Sequence, residues 1–463
     1  MLTYTLKKSP GVPLYEALYR CIREDILTGS LRPGEKLPSK RALAENLEVS
    51  KITVETAYSQ LLAEGYIRSQ EKVGYFVESV ERPEAVSPSR QAPVPAEEPA
   101  LLDLTANGTE HFPFSIWSRL QREVMLDYGE RLLRPLPNRG IEELRKAIAD
   151  HLAAFRGMRV SPENILIGAG TDFLYNLLIQ LLGREKTYAV EEPGYGKIRK
   201  IYAAGGVRCV SAPMDAMGVV PEGLQDADVL HFSPSHHFPT GLVTPVSRRV
   251  ELLNWAKQDK WIIEDDYDSE FRLDAHPKPA MQSLDRWGRV IYMNTFSKSL
   301  APSIRISYMV LPEDLMGQFQ RTLGFYSCTV PSFEQYTLAR FLSRGYFEKH
   351  INRMRKFYKN RRNTLIAMLG GCSFSERLTI LEENAGLHFL LRVDTSLEDR
   401  ALTQKLENLG IRVRALSEYY HDGSESCHCL VINYSGLRED TLNRTLEKVE
   451  RFLENGASKG VSK

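Results

Sequence analysis

The chain has 463 residues but only six cysteines, a formal charge of only +1, and no run approaching the roughly 20 apolar residues that cross a bilayer. Each scarcity excludes something. Cys21, Cys209, Cys328, Cys372, Cys427 and Cys429 are too scattered for a disulfide framework and read as reduced thiols. The start MLTYTLKKSPGVPLYE lacks the apolar stretch of a secretory signal, so a soluble, cytoplasmic protein is expected. Balanced charge gives no whole-chain basic signature. Even residues 1–78 hold eleven Lys or Arg against ten Asp or Glu, so any nucleic-acid binding must come from local arrangement. Cys427, His428 and Cys429 invite a metal reading, but alternating strand residues point to opposite faces and no second ligand pair stands at zinc spacing. No metal is expected, and there is no internal repeat.

What is present is a soluble composition, 43% hydrophobic and 26% charged, in a chain long enough for two or three domains. A stretch rich in Pro, Glu, Ser and Ala, residues 79–102, reads as an extended linker. Before it, residues 10–78 carry short helical patterns and a hairpin. After it, residues 103–463 alternate helical patterns with β-rich runs such as ILIG, VLHF, WIIED and VIYMN. That alternation predicts an α/β domain with a mainly parallel sheet. From about residue 345 a charged helical pattern leads into a small α+β C-terminal subdomain containing LHFLLRV and CLVINYS.

In the head, Leu14, Leu18, Cys21, Ile22 and Ile26 form a helical stripe that Gly29 stops. Ser39 caps a second helix, Val49 and Ser50 mark a tight turn, and a third helix turns Val54, Ala57, Tyr58, Leu61 and Leu62 inward. Lys51, Thr53, Glu55 and Thr56 then face outward near the N-terminus of that helix, where a recognition helix meets base edges. GYIRSQEKVGYFVES reads as a two-stranded wing with Lys72 available to phosphate. The whole is a winged helix-turn-helix. Solvation of a small helical domain would explain any one of these charges taken singly.

In the large domain the residues offer every part that pyridoxal phosphate (PLP) chemistry needs: an amine, an acid for the ring nitrogen, a phosphate cradle and a planar group over the ring. Lys298, in NTFSKSLAPSIR, follows the strand VIYMN and so lies at a strand's carboxyl end, where such sheets place ligands. Burial or a nearby cation would lower the pKa of its amine enough for attack. Arg305 with Thr295 and Ser297 is a candidate phosphate grip. Asp265 ends WIIED, and Tyr267 lies two residues on, which in extended backbone points both side chains the same way. Gly168 and Gly170 join a strand to a helix whose N-terminus, with Ala169, Gly170 and Thr171, is an anion seat. Tyr195 after Pro193 and Gly194 is a loop aromatic able to stack. SPSHHFPTG adds Ser233, Ser235, His236 and His237 to the same rim. Each element alone is ordinary; their order together is not.

LPSKRALAENL, KITVETAY and LLAEGYI resemble consecutive blocks of the GntR family of bacterial regulators, and residues 103–463 are similar to fold-type I aminotransferases. The whole chain resembles the MocR/GabR family, with SPSHHFPTG, EDDYDSEFR and TFSKSLAPSIR as matching blocks. The resemblance implies contacts to double-stranded operator DNA from Arg41, Lys51 and Thr53, and Glu55 stands where some members carry a DNA-contacting Arg. It implies PLP held as an internal aldimine on Lys298, Asp265 at the pyridine nitrogen, Tyr267 at the ring hydroxyl, Arg305 at the phosphate and Tyr195 stacked. A homodimer is implied, with PLP itself or an amine or amino acid as effector and control of PLP synthesis or amine metabolism as the output. Two departures stand out. Phe238 occupies the position where aminotransferases usually carry Asn, and Val431 aligns with their substrate-carboxylate Arg. Arg438 and Lys197 are the candidate substitutes for that Arg. The alternative reading is an active PLP-dependent aminotransferase with an appended DNA-binding domain, and a PLP-free dimerisation scaffold is the third.

Overall fold

The computed structural model describes residues 4, 13–80, 102–106, 108, 111–257, 259–271, 273, 279–382, 386–421, 423, 426–437 and 445. Residues 81–101, most of the expected linker, and Arg438 lie outside the described residues. The chain divides into two compact units, Met1–Glu97 and Glu98–Lys463.

The first unit follows from local signals. Helix α1 (Leu14–Thr28) ends on Gly29 at φ 81°, a left-handed conformation that costs glycine least. Ser39 accepts from the amide of Ala42 at 3.2 Å and starts α2 (Lys40–Asn46). Ser50 accepts from the amide of Thr53 at 3.1 Å and starts α3 (Lys51–Ala63). Each cap satisfies a helix-end donor that would otherwise lack a partner. Strands β1 (Lys36–Leu37), β2 (Ile67–Gln70) and β3 (Gly74–Val77) make an antiparallel sheet in the order β1-β3-β2. Leu18, Ile22, Leu43, Val54, Ala57, Tyr58 and Leu61 share one core. Leu62 departs from the expected stripe and is exposed, one helical step of about 100° beyond Leu61, which closes the buried face of α3.

The second unit opens with β4 (Leu102–Asp103). Its main sheet uses β5 (Ile165–Gly168), β6 (Thr187–Glu192), β7 (Arg208–Asp215), β8 (Gly218–Val219), β9 (Val229–Phe232), β10 (Trp261–Asp265), β11 (Val290–Thr295) and β12 (Ser307–Val310). The order is β5-β12-β11-β10-β9-β6-β7-β8, and only β12 and β8 run against the rest. The near-continuous apolar runs of the central strands reflect helices on both faces. Ile263 packs with Leu174, Leu178 and Phe319 on one side, while its neighbour Ile262 packs with Leu252, Leu253 and Met281 on the other. Each such fully buried side chain contributes roughly 1.5–3 kcal/mol.

A 26-residue helix, Tyr346–Gly371, leads to a second, antiparallel sheet. It contains β13 (Leu378–Leu381), β14 (His388–Val393), β16 (Arg414–Ala415) and β17 (Cys429–Asn433) in the order β13-β14-β17-β16. The short strand β15 (Ile411–Arg412) pairs instead with β4, in parallel. Here one expectation fails. β17 begins only at Cys429, and His428 has φ 54°, so strand alternation does not separate Cys427 from Cys429. Each thiol shifts the proton affinity of the other, Cys427 upward and Cys429 downward. Among the described residues, no group of three or more His, Cys, Asp or Glu side chains is arranged to hold a metal. No described helix is long and apolar enough to cross a membrane.

Candidate cofactor site and DNA-reading face

On the first unit, the outward face of α3 carries Lys51, Glu55 and Thr56, all exposed, with Thr53 half-buried and its hydroxyl 2.8 Å from the capping hydroxyl of Ser50. Arg41 on α2 is exposed and pairs with Glu45 at 2.9 Å. Lys72 stands in the β2–β3 turn with φ 58°. Glu55 is not isolated: the ammonium of Lys40 lies 2.7 Å from it. Sequence reasoning missed Ile52, 74% exposed at the start of α3. It lies on the outward face beside Lys51 and Glu55, and helical spacing alone identifies it as an apolar side chain outside the core stripe.

In the large unit the carboxyl ends of β5, β10 and β11 gather the expected residues. Register places Gly168 of β5 beside Ser307 of β12, and Ser307 beside Thr295 of β11. Thr295 is committed to the protein. It accepts from the amide of Ser297 at 3.1 Å and from the hydroxyl of Ser307 at 2.8 Å, and so caps the short helix Phe296–Ser299 that carries Lys298. The hydroxyl of Ser297 is buried and has no protein partner among the described residues. Burial holds the Lys298 amine below the ordinary lysine range, with the carboxylate of Asp268 opposing the shift.

Asp265 sits at the end of β10 with both oxygens inside. Oδ2 accepts from the hydroxyl of Tyr175 at 2.5 Å and lies 3.3 Å from Nε2 of His231. Oδ1 is buried and has no donor among the described residues. Neither Tyr175 nor His231 was identified from the sequence. A carboxylate so held is an acceptor with one face built and the other open to a further donor. β10 ends at Asp265, so Tyr267 lies just beyond the strand. Tyr267 is half-buried, with its hydroxyl 3.2 Å from Nδ1 of His236, which in turn lies 2.8 Å from Asp268.

The anion seat is tight. Gly170 has φ 87°, and a Cβ added there would lie 2.1 Å from Nη2 of Arg305, so the guanidinium packs against bare backbone at the N-terminus of the helix Thr171–Leu182. Arg305 itself has φ 50° and lies 3.5 Å from Asp172. The same carboxylate is 2.7 Å from Lys197, which is therefore already paired. The amide of Ala169 donates to the hydroxyl of Thr329 at 2.9 Å rather than standing free.

The segment expected as a rim is instead a buried wall. Ser233, Ser235, His236 and His237 are all enclosed. Ser235 accepts from Arg156 at 2.9 Å. His237 has Nδ1 2.7 Å from Thr240 and Nε2 3.6 Å from Glu191, and burial pushes its pKa down to about 3. His236 lies so close to Gly386 that no Cβ fits between them. Tyr195, 52% exposed, meets Phe238 edge-on at 5.9 Å. Phe238 also contacts His388 and Tyr419, at 5.1 and 5.2 Å between ring centres. Val431 is a buried residue of β17 whose register partners are Leu390 and Arg414. Burial pushes the Tyr419 hydroxyl pKa up, and Arg414, another residue missed, opposes that rise.

Residues 14–77 match the family described as bacterial regulatory proteins, gntR family. The HTH-type transcriptional regulator YdeL of Bacillus subtilis is 36% identical over 462 residues, covering 97% of this chain and 98% of YdeL. The probable rhizopine catabolism regulatory protein MocR of Rhizobium meliloti is 32% identical, over 96% and 94% of the two chains. The chain belongs to the MocR/GabR-type family of GntR-superfamily transcriptional regulators. Another relative of this MocR/GabR-type chain, 32% identical over 94% of this chain and 95% of its own length, is the pyridoxine biosynthesis transcriptional regulator PdxR of Corynebacterium glutamicum. The large unit shares its fold with a kynurenine aminotransferase of Pyrococcus horikoshii. The TM-score is 0.67 at 24% identity, covering 78% of this chain and 92% of the enzyme. A multiple substrate aminotransferase from Thermococcus profundus gives a TM-score of 0.69 at 21% identity, covering 78% and 93%. The family's members are named as regulators, and this MocR/GabR-type chain is a regulator built on the fold of PLP-dependent aminotransferases, with a DNA-binding winged helix at its N-terminus.

Proposed function

We propose that this regulator holds pyridoxal 5'-phosphate in its large unit and that occupancy by PLP, or by an amine or amino acid reacting with it, biases how the winged helix engages double-stranded operator DNA. The observation that carries the reading is the Asp265 carboxylate, with one oxygen clamped by Tyr175 and His231 and the other buried without a protein donor among the described residues. A protonated ring nitrogen is the donor such an atom suits. The remaining residues fit the same group. Lys298, held below its ordinary pKa by burial, supplies the amine. Arg305 against Gly170, with the buried hydroxyl of Ser297, suits the phosphate. Tyr267 suits the ring hydroxyl and Tyr195 the ring face. His237, enclosed against Glu191, acts on the site by holding its wall. When bound, PLP supplies an electrophilic aldehyde and an electron-withdrawing ring.

Ligand energy shifts a regulator only through unequal affinity for two arrangements. The name of PdxR favours PLP supply as the controlled process over amine breakdown. Exposed Phe114, Met125, Leu126, Leu133 and Phe325 on the large unit favour self-association into a homodimer carrying two winged helices. Arg41, Lys51, Thr53, Thr56 and Lys72 are proposed as its DNA contacts. Active transamination is disfavoured by Val431, which offers an amino-acid carboxylate no charge.

The test titrates PLP into the full chain and into Lys298→Ala, following visible absorbance, and measures binding to upstream DNA by anisotropy. Saturable absorbance distinct from free PLP is expected in the parent and not in the variant, with DNA binding retained in both. An identical spectrum in the variant would exclude Lys298.

A further inference from the structure

The Cys427-His428-Cys429 run lies outside the cofactor site, yet it is built in an unusual way. His428 takes φ 54°, a left-handed turn that side-chain-bearing residues rarely adopt. One buried carboxylate holds it there: Asp399 accepts from the amide of His428 at 2.9 Å through Oδ1 and from the amide of Cys427 at 3.1 Å through Oδ2. The Cys427 thiol lies 3.7 Å from the same Oδ2. The turn brings the two cysteines close enough that the protonation of each sulfur depends on the other. Two Cα steps of about 3.8 Å bent at a turn fall in the roughly 4.4–6.8 Å window that a disulfide requires. Arg392 of β14, the register partner of Cys429, is a further partner of the Cys429 sulfur.

We propose that Cys427 and Cys429 form a reversible dithiol–disulfide pair that responds to hydroperoxides. The coupling of the two sulfurs holds Cys429 toward its thiolate, supported by Arg392, and Cys427 toward its thiol, whose S–H is directed at Asp399 Oδ2. Cys427 is half-buried and Cys429 buried, so a peroxide approaches past Cys427. The Cys429 thiolate attacks a peroxide oxygen. An S–O bond forms, the O–O bond breaks, and the leaving oxygen takes the Cys427 proton to depart as an alcohol or water. The Cys427 thiolate then displaces hydroxide from the Cys429 sulfenic acid, and the hydroxide becomes water with a proton from solvent. Counted from two protonated thiols, the sum is two thiols plus ROOH giving one disulfide, ROH and water.

The pair is mechanically connected. Asp399 Oδ2 also accepts from the hydroxyl of Ser417 at 2.6 Å, in the turn Leu416–Tyr419. That turn's Tyr419 carbonyl accepts from the amide of Gly194 at 3.0 Å, and the Tyr419 ring packs on Phe238. Pulling the sulfurs together displaces the backbone amides that Asp399 holds, and Ser417 shares that oxygen.

The test exposes the full chain to hydrogen peroxide, blocks free thiols with a maleimide and reads the peptides by mass. The peptide spanning both cysteines is expected two hydrogens lighter and unlabelled, and to take two labels after dithiothreitol. Cys427→Ser should never give the lighter species, while Cys209→Ser should give it as the parent does. Oxidised parent is also expected to show at least a tenfold faster amide exchange over residues 416–421 than reduced parent, with no such change in Cys427→Ser. Two maleimides on the untreated and treated peptide alike, under conditions that oxidise Cys21 or Cys209, would overturn the pair. A disulfide with unchanged exchange would overturn its connection to the turn.

Discussion

Asp265→Asn separates the cofactor reading from a purely structural role for this carboxylate. In the parent, Oδ2 has Tyr175 and His231 while Oδ1 has no donor among the described residues. The variant keeps an acceptor oxygen for Tyr175 but has no charge to offer a protonated ring nitrogen. A hydrogen bond to a charged group is worth about 1.5–3 kcal/mol, so at about 1.4 kcal/mol per tenfold the Kd for PLP should rise roughly 10- to 150-fold. Without cofactor the variant should be no less stable than the parent, because it replaces a buried anion lacking one donor by a neutral amide. Tyr175→Phe is the graded control. Removing a donor from the far oxygen costs about 0.5–1.5 kcal/mol, roughly a two- to tenfold loss. Equilibrium dialysis against PLP gives the affinities, and thermal unfolding of the PLP-free chains gives the stabilities. A Kd for the Asn variant within about twofold of the parent, in a chain that melts normally, would refute the assignment of Asp265 to the ring nitrogen.

Three further outcomes follow from the same geometry. Gly170→Ala places a methyl 2.1 Å from the Arg305 guanidinium at φ 87°, a strain of about 1–3 kcal/mol; it should lower the melting temperature and abolish competition by inorganic phosphate for PLP, and retained competition would contradict the seat. Glu55→Gln frees Lys40, now 2.7 Å away, on the face proposed to meet DNA. One added phosphate contact should steepen the plot of log K against log salt by about 0.9, and an unchanged slope would count against that face. Burial raises the Glu270 carboxyl to about 7, above a free value near 4.3, so its contribution to stability is full below the free value and is lost as pH rises through 7. Relative to the parent, Glu270→Gln should therefore gain melting temperature between about pH 5 and pH 8, where a constant difference would be the refuting result.

The legible parts of this molecule are those written in neighbouring residues. Gly29, Ser39 and Ser50 declare helix ends through backbone chemistry a few residues away, and each does so in the structure. The placement of Lys298 and Asp265 at the carboxyl ends of strands is legible through their order along the chain. Tyr175 is not, because its partner Asp265 is 90 residues distant and nothing in TDFLYNLL marks a tyrosine that bonds a carboxylate on another strand. The wall SPSHHFPTG looks like a polar loop, and polar loops are normally wet. It is dry because Gly386 lets another segment close directly onto His236. His428 escapes for a different reason: the sign of φ at a non-glycine residue has no signature in composition, and here a distant Asp399 determines it.

The two halves of the candidate pocket are furnished differently. The half proposed for the cofactor holds an acid, an amine and a guanidinium against bare backbone. The half that would face an amino acid does not: Val431 is buried and uncharged, and Phe238 fills its place among Tyr195, His388 and Tyr419. A carboxylate needs a cation in a forked geometry. Lys197 is occupied by Asp172 and, by strand register, the cation beside Val431 is Arg414, which lies near enough to Tyr419 to act on its hydroxyl. A ligand carboxylate could take Arg414 only by drawing it from Tyr419, whose backbone holds Gly194 next to Tyr195. Under the proposed function, that exchange would alter a loop without chemistry at the ligand, which is the requirement of a sensor: unequal affinity for two arrangements of the protein rather than stabilisation of a transition state.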